Sequence, residues 1–201
     1  MKIQTNLKII TAVVTGLVAI SAANATTKSV TATVVVDNVI AMTVAAPLDF
    51  GKISALGDAS ASDLQATMVR SANPATASVT DKTTNSAVIV LAQGSPADIE
   101  ITGAAADYEL DVVVPTTEIY LENPAVQSNS QVFVLDAFNT HAYLEGTANS
   151  SFGTTTTSTG ALSFYVGASL TTAASNLTGS ATKTAYTDGT YTGSFDVSVN
   201  Y

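Results

Sequence analysis

The feature that most restricts what this chain can become is the alternation in its last thirteen residues, Gly189 to Tyr201. From Tyr191 onward the odd positions carry Tyr191, Gly193, Phe195, Val197, Val199 and Tyr201, and the even positions carry Thr, Ser, Asp, Ser and Asn. Side chains on a strand point alternately to opposite faces, so the pattern predicts a β-strand with one apolar and one polar face. Asp188-Gly189 ahead of it is a turn signal. A half-buried strand in this position reads as central to the fold, because a free end would otherwise fray.

The same period of two recurs at the other end. Val30, Ala32, Val34 and Val36 alternate with threonine and valine, and after a break at Asp37-Asn38 the pattern resumes with Ile40, Met42 and Val44. This predicts a separate N-terminal strand, Ser29 to Val36, followed by the first strand of a domain. Pro47 should end that strand because it has no N–H, and Gly51 permits a bend or a close approach. Residues 54 to 63 are small and polar and read as loop. Further strands are expected over Leu64 to Val69, Ala75 to Thr80, Ala87 to Ala92, Asp98 to Thr102, Tyr108 to Val114, Thr117 to Glu122, Gln131 to Phe138, Ala142 to Glu145 and Ala161 to Leu170. Asn73-Pro74, Ser95-Pro96 and Asn123-Pro124 punctuate them. Strands recurring roughly every eight to twelve residues, with no helical period, indicate an all-β antiparallel sandwich or barrel. Ala104 to Ala106 and residues 171 to 182 have room for a helical turn, and the Thr-rich run Gly153 to Gly160 reads as a flexible loop. With no repeat and no linker in view, residues 37–201 form a single domain.

Residues 1–25 are expected to be removed. Lys2 and Lys8 give a basic start, Ile9 to Ile20 an apolar stretch too short for a membrane span, and Ala23-Asn24-Ala25 a small-residue cleavage site. The expected mature chain is exported, spans no membrane, and begins with an extension, residues 26–36. All 16 carboxylates lie beyond that extension, and without Lys2 and Lys8 only 5 basic residues oppose them, a formal net charge of −11. Such a surface disfavours nucleic acid, whose phosphates need basic partners. Cysteine is absent, which excludes thiol chemistry, thiolate-bound metal and disulfides.

No constellation of catalytic residues stands out. The one histidine, His141, has no second histidine or cysteine with which to share a metal, and reads as a loop or strand-end side chain. Asp107, Glu109 and Asp111 would share one face of a strand, but at roughly 7 Å spacing they are too far apart for one calcium ion and read as a solvated face. Glu118 and Glu122 carry no sign of a sugar-cleaving pair. No G-x-S-x-G elbow exists, and Phe50-Gly51-Lys52-Ile53 lacks the first glycine and the hydroxyl residue of a phosphate loop. Asn149 and Asn176 head glycosylation sequons. The expectation is a protein without enzymatic activity, metal or cofactor.

Three segments together carry a resemblance: Leu48-Asp49-Phe50-Gly51, the run Phe164 to Leu170 (FYVGASL), and Gly189 to Tyr201. Over essentially the whole mature chain the sequence resembles a family of secreted Gram-negative proteins classed as a domain of unknown function. More loosely, at its two ends, it is similar to archaic chaperone–usher pilins of the spore-coat-U type. The pilin resemblance implies an immunoglobulin-like sandwich lacking one strand, whose open groove is filled by a neighbour's N-terminal strand. It implies that Val30, Ala32, Val34 and Val36 are the anchors of that donor strand. Tyr191, Phe195, Val197, Val199 and Tyr201 would then form the groove-edge strand, with other copies or related subunits as partners and a periplasmic chaperone gripping its end. At ~1.5–2 kcal/mol per buried valine and roughly 1 kcal/mol per ladder hydrogen bond, insertion would contribute on the order of 10 kcal/mol. Two other readings stay open. Ser29 to Val36 can pair within its own domain as an edge strand, and the protein can be a monomeric module binding carbohydrate or a calcium-dependent ligand through loops 145–160, near Tyr143 and Phe152.

Overall fold

The structure, a computed structural model, describes residues 28–29, 31–35, 39–58, 65–125, 131–144, 147–148, 155–173 and 184–201. The chain divides into residues 1–36 and residues 37–201. Among the described residues there are strands and turns and no helix, and every ladder is antiparallel. The all-β class expected from the period-two patterns is what the chain adopts.

The strands, in order, are β1 (Ala41–Ala46), β2 (Gly51–Gly57), β3 (Thr67–Arg70), β4 (Val79–Asp81), β5 (Ala87–Gln93), β6 (Ala97–Thr102) and β7 (Asp111–Val113). They continue with β8 (Ile119–Leu121), β9 (Val132–Leu144), β10 (Thr147–Ala148), β11 (Leu162–Ala173), β12 (Thr184–Ala185) and β13 (Ser198–Asn200). The strand β11 lies at the centre. Leu162, Phe164, Val166, Ala168 and Leu170 are each no more than 2% exposed, whereas Ser163, Tyr165, Ser169 and Thr171 between them are half-buried. One edge of β11 pairs with β9 along its whole length. Its other edge is divided: Leu162 to Val166 pair with β6, and Ala168 to Thr171 with β3. Where the two partners meet, a Cβ on Gly167 would come within 2.3 Å of the Arg70 carbonyl oxygen and 2.4 Å of the Ala72 nitrogen. Only glycine leaves room for that passage. Outside these strands, β1 pairs with β6, β4 with β3, and both β8 and β10 with β9. A second sheet has the order β12-β2-β5, and among the described residues β13 pairs with β7 alone.

The motif Leu48-Asp49-Phe50-Gly51 joins the first sheet to the second. There β1–β2 and β5–β6 run side by side as one ribbon, held at the crossing by the Asp49 N–H donating to the Ser95 carbonyl at 2.9 Å. The Asp49 Oδ1 accepts the Gly51 N–H at 2.7 Å, and Gly51 adopts φ 81°. A Cβ on Gly51 would lie 2.2 Å from the Ala92 carbonyl oxygen. Replacing Gly51 by alanine therefore adds both left-handed strain and overlap with backbone. Gly51→Ala is expected to lower unfolding stability by about 2–5 kcal/mol, read as a fall in the urea midpoint; an unchanged midpoint would refute this account of the motif.

Two apolar clusters sit against β11. One contains Phe50, Met68, Val88, Phe133, Leu135 and Leu170, the other Ile99, Ile101, Leu110, Leu162, Phe164 and Val166. Leu48, Phe138 and Phe195 pack against both. The clusters join because β9 carries a bulge. Asp136 faces Ser169 and Asn139 faces Gly167, which leaves one extra residue on β9 and places Ala137 at φ 45°. Inward positions before the bulge are odd, Phe133 and Leu135; after it Ala142 is buried, so the parity has switched.

Several expectations are corrected. Gln131 to Phe138 and Ala142 to Glu145 are not two strands but one, β9, whose parity switch breaks the sequence pattern. Residues 54 to 57 are not loop: β2 continues to Gly57 because β5 and β12 supply partners. The strand expected from Ala75 begins only at Val79, since Pro74-Ala75 form a turn. Ala104 to Ala106 form no helical turn. Residues 155 to 160 of the Thr-rich run are fixed. Thr156 is buried, donates its N–H to the Tyr108 carbonyl and accepts the Tyr108 N–H on its hydroxyl, while the Gly160 carbonyl accepts from the Ala104 N–H. Gly153 and Thr154 lie outside the described residues, as do residues 1–25, residues 174–182, Phe152, Asn149 and Asn176.

Candidate functional site

The C-terminal segment keeps its alternation but not its ladder. Tyr191, Phe195, Val197 and Val199 are half-buried, and every residue between Thr192 and Asn200 at an even position is exposed. The expected strand from Tyr191 to Tyr201 is reduced to β13, with one further bridge between Thr192 and Glu122. It is not central either, for its one ladder partner among the described residues is β7. The physical reason is length. Between the Ser198–Val113 pair and the Thr192–Glu122 bridge, 5 residues on one side (193–197) face 8 on the other (114–121), so the longer side bows away. Pro115, with no N–H, sits where the two part.

Aromatic packing holds the segment in place. Tyr191 sets its ring edge-on to Phe133 (centroids 5.0 Å) and Tyr186 (5.8 Å), and its hydroxyl donates to the Thr187 carbonyl at 3.0 Å. Partial burial raises its phenol above the ordinary range. Phe195 packs 4.7 Å from Phe138, where the two clusters meet. Tyr201 is half exposed; its ring meets Tyr108 at 5.5 Å and its hydroxyl accepts the Ala105 N–H at 3.1 Å. Gly193, on the apolar side, has no room for a side chain: a Cβ would lie 2.7 Å from both Leu121 Cδ2 and the Tyr120 carbonyl oxygen.

A second row of half-buried apolar side chains, Leu48, Ile53 and Ala55, packs against the same first cluster as Tyr191 and Phe195. Their strand, β2, pairs with β5 on one edge. On the other edge β12 meets Gly57 and Leu56, and the Tyr186 N–H reaches the Ala55 carbonyl at 3.1 Å. From Gly51 to Ser54 that second edge has no ladder partner among the described residues. The core is thus closed beneath β11 but bordered by two incompletely paired, partly apolar segments. The part played by Leu48, Ile53 and Ala55 was missed in the sequence; Leu48-Asp49-Phe50-Gly51 was its only visible sign.

Of the residues expected as N-terminal anchors, Ala32 and Val34 are exposed, and Thr31 to Val35 belong to no strand. Val34 is 83% and Val35 87% exposed. Alternation alone gives a strand no partner, which is why the expected strand Ser29 to Val36 is absent over these residues. Val30 and Val36 lie outside the described residues.

The remaining candidates do not converge. His141 is inside β9 rather than at a strand end, opposite Tyr165, with Nε2 buried and without a hydrogen-bond partner. Asp107 is in a turn at φ 53°, Glu109 makes an isolated bridge to Thr155, and only Asp111 is in a strand; all three are exposed, with Leu110 buried between the last two. Among the described residues no group of three or more His, Asp or Glu could hold a metal. No helix among the described residues is long and apolar enough to cross a membrane. Glu118 accepts the Tyr120 hydroxyl at 3.3 Å and stands near Asp136. Burial, and secondarily the Glu118 charge, raise the Asp136 carboxyl above its usual 3.8. The folded protein then holds that proton more tightly than the unfolded chain, so stability falls as pH rises through the window above 3.8. Asp136→Asn is expected to raise the urea midpoint at neutral pH, with a gain that shrinks on acidification toward about pH 4. An equal gain at both pH values would contradict the assignment.

Comparison with protein-family models, with curated proteins and with solved structures found no match.

Proposed function

We propose that this chain is an exported, non-enzymatic structural subunit that assembles with copies of itself by β-strand donation. In this reading residues 37–201 form an immunoglobulin-like sandwich that is one strand short, and residues 26–36 supply the missing strand to a neighbour. The observation that carries the reading is the pairing of two complementary deficits. Thr31 to Val35, β-branched except at Ala32, lie in no strand, and the half-buried rims at Leu48, Ile53 and Ala55 and at Tyr191, Phe195 and Val197 leave core surface partly uncovered. Backbone pairing would supply affinity, and alternate side chains seated between the rims would supply register. Charge agrees with the direction of transfer: residues 26–36 carry Lys28 and no carboxylate, while residues 37–201 hold all 16 acidic side chains. A periplasmic chaperone would protect the rims before assembly, and the mature protein would reach the cell surface.

The test is electron microscopy and gel analysis of mature protein from its own host, unheated and boiled in detergent. Thin fibres and a ladder that collapses on boiling are expected. A monomer band in both lanes with no fibres would overturn the proposal.

A further inference from the structure

Arg70, the one arginine in the chain, ends β3 on the core side of the sheet and is only 4% exposed. Two fully buried apolar residues lie beside it: Met68, two positions back on the same face, and Ala168, opposite it on β11. We infer that Arg70 is a binding site for a carboxylate.

The charge calls for a partner that its neighbours do not provide. A guanidinium cannot shed its proton, and a buried charge is costly unless it is both paired and hydrogen-bonded. Among the described residues the one hydrogen bond of Arg70 runs from Nη1 to the Ser78 hydroxyl, at a long 3.4 Å. The buried Nε has no partner, and no acidic side chain is paired with the group.

Geometry selects the class of ligand. With Nη1 turned to Ser78, the side of the guanidinium without an acceptor is the one formed by Nε and Nη2, whose N–H bonds run parallel. Two parallel donors match the two oxygens of a carboxylate. A spherical halide cannot use both equally well, and a phosphate brings further oxygens that Met68 and Ala168 cannot satisfy. The way in lies at the end of the β3–β4 ladder, which stops at the Val69–Val79 pair, one residue short of Arg70 and Ser78. Ser78 is half-buried there, and its N–H donates to the side chain of exposed Gln93 at 3.2 Å. A side chain rather than a strand closes this end, and a side chain can turn aside for a small ion. A free carboxylate and an acidic side chain of a second copy would supply the same chemistry.

The experiment reads the side-chain Nε–H signal of the full mature chain by NMR at about pH 6, where acetate is ionised. It uses protein in which no fibres have formed, so strand donation has no part in the result. With a single arginine the signal is identified without further work. Sodium acetate is expected to move it saturably, and sodium chloride at equal ionic strength to leave it in place. A signal that also moves on dilution without acetate identifies a second copy as a source of the carboxylate; one that is constant on dilution identifies a free carboxylate as the ligand. Acetate should further raise the urea midpoint of the natural protein relative to chloride, and should fail to do so for Arg70→Lys, which keeps the charge but loses the fork. The titration decides alone if that variant does not fold. The inference is overturned if neither acetate nor dilution moves the signal, if chloride moves it as far, or if a folded Arg70→Lys gains as much from acetate.

Discussion

Deleting residues 26–36 is expected to abolish the heat-sensitive ladder altogether, leaving protein that runs as monomer before and after boiling. The expected loss is of the order of 10 kcal/mol of contact energy, the sum of apolar anchors and backbone ladder, and therefore more than a millionfold in affinity. A single change inside the segment should act in the same direction. Val34→Asp would place a carboxylate where an apolar anchor must be buried, at a cost of several kcal/mol. A peptide of residues 26–36 added to the truncated protein should bind it, and a truncated protein that still forms fibres would refute strand donation. Because Thr31 to Val35 belong to no strand, neither change removes a ladder from residues 37–201. Loss of polymer with an intact unfolding transition would separate assembly from folding.

Phe164→Ala is expected to be the most damaging single substitution within residues 37–201. Phe164 is 0% exposed and lies in the middle of β11, between Ile99 on β6 and Ala142 on β9. Truncating a fully buried phenylalanine costs about 3–5 kcal/mol, through lost transfer energy and the cavity left behind. Set against a typical stability of about 5–15 kcal/mol, that is enough to leave the protein partly unfolded near body temperature. Chemical denaturation should show a much lower midpoint with a similar slope; a loss under about 1 kcal/mol would mean that the site collapses around the gap.

How much of this was legible in the sequence depends on whether the governing contact was local. The apolar stretches Ala161 to Leu170 and Ala87 to Ala92, bounded by turn residues, read as strands, and the structure places β11 and β5 there. Pro47 ends β1 as its missing N–H requires. What failed was set by partners distant in sequence. The parity switch in β9 arises from its register against β11, and the shortened β13 from the surplus length of residues 114–121 opposite it. The end of β2 was misread because its small residues, Ser54 to Gly57, become strand only when β5 and β12 pair with them. At the candidate site, Tyr191, Phe195, Val197 and Val199 were readable as one apolar row, whereas Leu48, Ile53 and Ala55 join them only through the fold.

The divided edge of β11 also fixes when this protein can begin to fold. Its neighbours β3, β6 and β9 come from widely separated stretches, all earlier in the chain, and they have no common partner until residues 162–173 have been made. A chain cut short before Leu162 lacks the element on which three strands converge. Such long-range closure folds slowly, in the range of milliseconds to seconds, and late in synthesis. Ladders such as β1–β6, β2–β5, β3–β4 and β8–β9 involve only residues before Leu162, but β3, β6 and β9 become one sheet only once β11 is in place.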